Sequence, residues 1–138
     1  MHIPLTVLDL RDAFRENVIS YFIRSYQSGI TPNPCVVCNP TVKFKYLIEE
    51  ADRQGCAFAA TGHYAKLRCR EDGKVELLRG DSDQRDQSYM LYRLMQKELS
   101  RLIFPLAHME KDEVRRIAAS LGLSCASAPD SQENCFIE

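Results

Sequence analysis

What this 138-residue sequence lacks first is a long apolar stretch. No run approaches the ~20 residues that a membrane-spanning helix needs, and the amino terminus shows no basic-then-apolar secretory pattern. The expectation is a soluble, cytoplasmic protein without a membrane partner. Net charge is also missing: 18 Lys and Arg against 19 Asp and Glu leave a formal −1. Without a global positive field, any polyanion has to be held by local groups, and nothing points to DNA. A Gly-rich phosphate loop is absent, as are internal repeats and low-complexity segments. A second Cys-x-x-Cys or Cys/His pair, which a zinc ribbon requires, is absent too. The three histidines, His2, His63 and His108, stand isolated from one another.

What is present is a 45% hydrophobic composition, enough for one core, and six cysteines. Disulfide scaffolds are short, secreted and poor in core, and this chain is none of these. In a reducing compartment, spaced cysteines more often bind metal or do chemistry. Cys56, Cys69 and Cys125 lie among alternating or apolar residues and read as small core fillers. The remaining three draw attention. Two of them sit in TPNPCVVCNP, residues 31–40, where three of the six prolines also fall. Pro32 and Pro34 fix φ and push the residue before each out of helical space, so the cysteines are presented from a stiff edge. The stretch fits a metal half-site, a disulfide clip or a loop holding a reactive thiol.

Hydrophobic spacing outlines the elements. Residues 3–10 (IPLTVLDL) read as a buried strand. A helix is predicted over 11–26 through Phe14, Val18, Phe22 and Tyr26, stopped by Gly29. A second is predicted over about 41–54, with Phe44, Leu47, Ile48 and Ala51 on one face. Residues 56–61 (CAFAAT) suit a strand of a parallel sheet buried on both faces. A hairpin over 64–78, one or two short helices in 87–104 and an amphipathic helix over 111–121 follow. The succession is α/β in character. Because the chain opens almost directly into a predicted strand and stops just after Cys135, it reads as a fragment.

Three further stretches carry candidate chemistry. Cys38 is placed where the second helix is expected to begin, and a helix start favours a thiolate, with Lys43 and Lys45 nearby. In ATGHY, Gly62 follows a strand end, where open α/β sheets bind ligands, and His63 faces the same crevice. Taken alone, the simpler reading is a strand-end turn with a packed histidine. In RDQSYML, Arg85 suits a phosphate while Asp86 and Gln87 suit polar edges. Helix capping by Asp86 is the plainer alternative. In DSQENCF, Asp130 and Ser131 read as turn formers and Cys135 as a buried thiol. A three-cysteine iron–sulfur site from Cys35, Cys38 and Cys135, with one iron open, stays possible on spacing alone. The acidic pairs Glu49-Glu50, Asp81/Asp83 and Asp112-Glu113 read as solvated faces.

The order of these pieces is more specific than any one of them. GITPNPCVVCNPTVKF, ATGHYAKL, DQRDQSYMLYRL, FPLAHMEKDEVRRIAASLGL and APDSQENCFIE follow one another along the chain. Across essentially all 138 residues the run resembles the tRNA-specific 2-thiouridylases (the MnmA/TrmU family). The resemblance implies an adenine-nucleotide alpha-hydrolase-like (PP-loop ATPase) parallel-sheet domain, its back half in residues 1–80. Residues 81–138 would form a mostly helical tRNA-recognising insert and the second-cysteine segment.

It further implies a tRNA-uridine 2-sulfurtransferase. ATP, with Mg, adenylates the C2 oxygen of the wobble uridine, and a cysteine persulfide loaded by a sulfur-relay protein or cysteine desulfurase delivers sulfur. The family's catalytic pair matches Cys38, the nucleophile, and Cys135, the persulfide carrier, whose exchange would leave a Cys38–Cys135 disulfide. Gly62 matches a nucleotide-contacting glycine. Asn33, Pro34, Cys35, His63, Arg85, Asp86 and Gln87 match tRNA-contacting positions. Some relatives carry Asp where Cys35 stands, and Lys is usual at Arg85. The family's S-G-G-x-D-S loop and its β-rich domains have no counterpart in this sequence, so the resemblance implies a portion inactive by itself.

Overall fold

The computed structural model describes residues 3–129 and 134–137. Two helical rods start the fold. The first joins α1 (Arg11–Phe14), a π-helical turn (Arg15–Ile19) and α2 (Ser20–Gln27) without a break. It is closed as expected at Gly29, whose φ of 72° suits a residue without Cβ. There Gly29 N–H donates to Tyr26 C=O and Ile30 N–H to Ser25 C=O, the paired bonds of a Schellman end.

The second rod begins seven residues before its predicted start. It joins α3 (Pro34–Cys38), a π-helical turn (Asn39–Lys43) and α4 (Phe44–Arg53). Pro34 fits the first helical position, and the Asn33 side chain accepts the Val36 N–H at 3.4 Å. Pro40 falls inside the π-helical turn. A proline ring clashes with the carbonyl four residues back, and a widened turn accommodates it, so the helix continues through.

The predicted face of α4 is the face that packs. Phe44 is fully buried, and Leu47, Ile48 and Ala51 lie against a core of Ala59, Ala65, Leu91, Leu94, Leu99, Leu102 and Phe104. This one core draws on residues from both sides of position 80. Strand β1 (Ala59–Ala60) pairs in parallel with β4 (Leu102–Ile103), Ala59 opposite Leu102. The hairpin β2 (Ala65–Cys69) and β3 (Val75–Arg79) sets Leu67 opposite Leu77. Helices α5 (Gln96–Leu99) and α6 (Lys111–Ser120) complete the order. The parallel pairing flanked by helices makes the fold α/β, as the sequence indicated. Among the described residues no helix is long and apolar enough to cross a membrane.

Three expectations are corrected. Residues 3–10 form no strand: Ile3, Leu5 and Val7 are exposed, and no strand among the described residues pairs with them. The strand predicted over 56–61 shrinks to two residues, with Phe58 exposed, because its partner β4 is equally short and ends before Pro105. Arg101 holds the approach to β1 instead, donating to Cys56 C=O, Ala57 C=O and Asp52 Oδ1 at 2.9, 2.6 and 2.6 Å. Cys56, Cys69 and Cys125 are exposed rather than core fillers. They follow a helix-ending turn, end β2 and lie in a 3-10 turn (Ser124–Ser127), positions that present side chains outward.

Candidate functional site

The π-helical turn of the first rod packs on α3, and between them opens a cavity of about 100 Å³. Cys35, Cys38, Asn39, Lys43 and Cys135 border it, together with Phe14, Val18 and Met90. Cys35 and Cys38 are spaced i, i+3 on one helical turn and share a face. Cys135 arrives from the other end of the sequence. Its neighbour Phe136 docks edge-on against Phe14 and Phe22, ring centroids 5.5 and 5.2 Å apart, and fixes the segment to the first rod. Two thiols distant in sequence thus meet over one small cavity. A larger depression of about 520 Å³ lies at the hairpin tip, but it is shallow and lined by mutually paired charges such as Arg68 and Glu76. It holds none of the candidate residues.

The Cys38 thiol titrates in the direction opposite to expectation. Burial is the largest influence and raises it; Lys43 pulls it down, and the Cys135 and Cys35 sulfurs push it up. The Lys43 backbone lowers it slightly further. Since the helix starts at Pro34, Cys38 is the last residue of α3 and not near a free helix start, so the dipole argument fails. Cys38 and Cys35 are half-buried while Cys135 is exposed. All six cysteines are free thiols, and the expected Cys38–Cys135 disulfide is not formed. The three-sulfur metal alternative is not supported either. Among the described residues no group of three His, Cys, Asp or Glu is disposed to hold a metal ion.

The remaining predicted positions divide into two groups. Pro34 is buried at the cavity wall, and exposed Asn33 caps α3. His63 is packed between Phe44 and Phe104, 5.4 and 5.9 Å between ring centroids, with Nδ1 2.7 Å from Thr61 Oγ1. Desolvation, and then the Lys43 charge, lower its pKa to about 4. The ring is therefore neutral near pH 7, and the Lys43 charge acts on both it and Cys38. Gly62 is exposed, and a Cβ there would meet only Leu106 Cδ1 at an ordinary 3.6 Å. The chain's own packing does not demand glycine at this position.

Arg85, Asp86 and Gln87 are not among the residues bordering the cavity, and Gln87 braces the turn that carries His63. Gln87 exchanges bonds with the Tyr64 backbone at 2.9 and 3.1 Å. Asp86 accepts from Gly80 N–H at 2.9 Å and from Ser88 Oγ at 2.8 Å. Burial raises the Asp86 carboxyl, but these bonds and Arg79 outweigh it and lower its pKa overall. Arg85 is half-buried. Asp130 and Ser131 lie outside the described residues. Sequence reasoning missed Asn39, which is 2% exposed and donates to Met90 C=O at 2.9 Å, tying the cysteine helix to the 88–90 turn. Its signal was a polar side chain between Cys38 and Pro40.

Comparison with known proteins adds independent findings. The model of the "tRNA methyl transferase HUP domain" family matches residues 1–138. The chain is 50% identical over 135 residues to the tRNA-specific 2-thiouridylase MnmA of Syntrophotalea carbinolica, covering 98% of this chain and 38% of that protein. It is 49% identical over 135 residues to the MnmA of Chloroflexus aurantiacus, covering 98% and 38%. The MnmA of Clostridium perfringens is 44% identical over 137 residues, covering 99% and 38%. The chain thus spans well under half the length of these relatives.

Proposed function

Since the chain belongs to the tRNA methyl transferase HUP-domain family, we propose that it forms the sulfur-transfer part of a tRNA-uridine 2-sulfurtransferase. The observation that carries this reading is the single cavity shared by Cys38 and Cys135. Exposed Cys135 is the carrier, accessible to a sulfur-relay protein or cysteine desulfurase that leaves a persulfide on it. Half-buried Cys38 is the second thiol, shielded from solvent oxidants and pointed at the same space.

The chemistry balances as follows. The uracil C2 oxygen attacks the α-phosphorus of ATP, the α–β phosphoanhydride bond breaks, pyrophosphate departs, and the adenylated oxygen becomes a leaving group. The terminal persulfide sulfur attacks C2, the C–O bond breaks and AMP departs. The Cys38 thiolate then attacks Cys135 Sγ. A Cys38–Cys135 disulfide forms, the S–S bond to the transferred sulfur breaks, and its electron pair stays on the 2-thiouridine sulfur. A dithiol reductant restores both thiols.

ATP is a substrate here, and Gly62 is the position where its nucleoside end approaches the backbone. No residue of this chain builds a Gly-rich phosphate cradle, so the isolated chain neither hydrolyses ATP nor thiolates tRNA. Pro34 and Cys35, which border the cavity, and Asn33, which caps the helix beside them, form the face toward the target base, and Arg85 contacts the tRNA backbone. His63, Asp86 and Gln87 are engaged inside the protein and contribute by shaping the surface around them. The nucleotide-facing half, residues 1–80, and the tRNA-facing half, 81–138, are functional divisions of one packed core.

The test is the 2-thiouridine content of tRNA in cells that rely on the full-length protein carrying this chain. Cys38→Ser and Cys135→Ser should each abolish it. Retained 2-thiouridine in either variant would overturn the assignment.

A further inference from the structure

The π-helical turn does more than accommodate Pro40. In an α-helix the residues stacked on Cys38 would be Thr41 and Val42, three and four positions on. The wider turn, closed by i to i+5 bonds, swings the fifth residue, Lys43, round toward the Cys38 face, which it does not share in an α-helix. Val42 is instead buried at 4% exposure, and Thr41 Oγ1 donates to Val37 C=O at 2.7 Å. Lys43 borders the cavity with Cys38 and Cys135 and is the cation among its described lining residues.

We propose that Lys43, carried onto the Cys38 face by this turn, supplies the positive charge against which the Cys38 sulfur holds its negative charge for the attack on Cys135. The proposal rests on the sulfur-transfer reading above and adds to it a positioning residue that acts through Cys38.

The surroundings of Cys38 make such a charge necessary. The groups facing its sulfur are Cys35 on its own helix, Lys43 one wide turn on, and Cys135 on the tail. The first rod contributes only the apolar Phe14 and Val18, and the 88–90 turn only Met90. Burial and two neighbouring sulfurs all oppose ionisation, and Lys43 opposes them. The second group near Lys43 is His63, which is neutral near pH 7 and takes no share of a negative charge. A persulfide on Cys135 adds a further sulfur to the same cavity, which increases the demand on that charge.

The experiment follows alkylation of Cys38 by iodoacetamide against pH, read peptide by peptide in the full-length protein. Exposed Cys56, Cys69 and Cys125 serve as internal references. Lys43→Met should slow Cys38 roughly fivefold near about pH 7 while the references hold, and Lys43→Arg should restore the rate to within about twofold. If Lys43→Met makes every cysteine react alike, it has unfolded, and Lys43→Gln, which keeps a polar stem without the charge, decides. An unchanged Cys38 rate in the folded neutral variant overturns the proposal while leaving the cysteine assignment intact. A slowed Cys38 together with tRNA thiolation that survives Cys38→Ser would instead overturn the sulfur-transfer reading, and with it the use of the charge.

Discussion

Replacing His63 with Leu removes a titrating ring of similar size from between Phe44 and Phe104, and the consequence is worked from its surroundings. The ring is 9% exposed, and its folded pKa is lowered from 6.5 to about 4 by burial and then by Lys43. A depressed histidine pKa means that the unfolded chain binds the proton more readily than the folded one. Stability associated with His63 is therefore constant above the unfolded pKa of 6.5 and is lost as pH falls from there toward about 4. At about pH 5 the unfolded ring is mostly protonated and the folded one is not. The loss relative to about pH 7 is then on the order of 1–2 kcal/mol. Urea denaturation of the full-length protein at the two pH values measures it. The wild type should lose that much more stability than His63→Leu, since all other titrating groups are common to both. Equal losses, or a His63 NMR titration with its midpoint near 6.5, would refute the reasoning.

Other outcomes follow from single contacts. A Cβ on Gly80 would lie 3.0 Å from Tyr64 C=O oxygen and 3.1 Å from its carbon, backbone that cannot yield, so Gly80→Ala should cost about 1–3 kcal/mol in denaturant titration. Asn39→Ala removes the buried donor to Met90 C=O and should cost about 1–3 kcal/mol while loosening the cavity wall, read as faster alkylation of Cys38. Cys35→Ser should reduce tRNA thiolation by less than about tenfold, and anaerobically purified protein should carry no stoichiometric iron or acid-labile sulfide; a stoichiometric cluster lost in this variant would restore cluster chemistry.

The sequence showed the α-helical faces well because a helix buries its stripe locally. Phe44, Leu47, Ile48 and Ala51 were spaced for a core and found one. Strands were less legible, since the apolar residues 3–10 have the composition of a strand but no partner, and pairing is not a local property. The π-helical turns left no periodicity to read, although Pro40 and Asn39 marked the place where one lies. The pairing of Cys38 with Cys135 came from the family resemblance that the ordered motifs carry, and in the structure both border one cavity. The titration of Cys38 and the packing of His63 depended on burial and on Lys43, which spacing alone does not reveal.

The central claim is tested most directly by a single turnover with radiolabelled sulfur loaded on Cys135 of the full-length protein, ATP and tRNA present and reductant withheld. The account predicts label on the uridine C2 and, by peptide mapping, one Cys38–Cys135 disulfide per label transferred. Label on the tRNA with both thiols still free would contradict it.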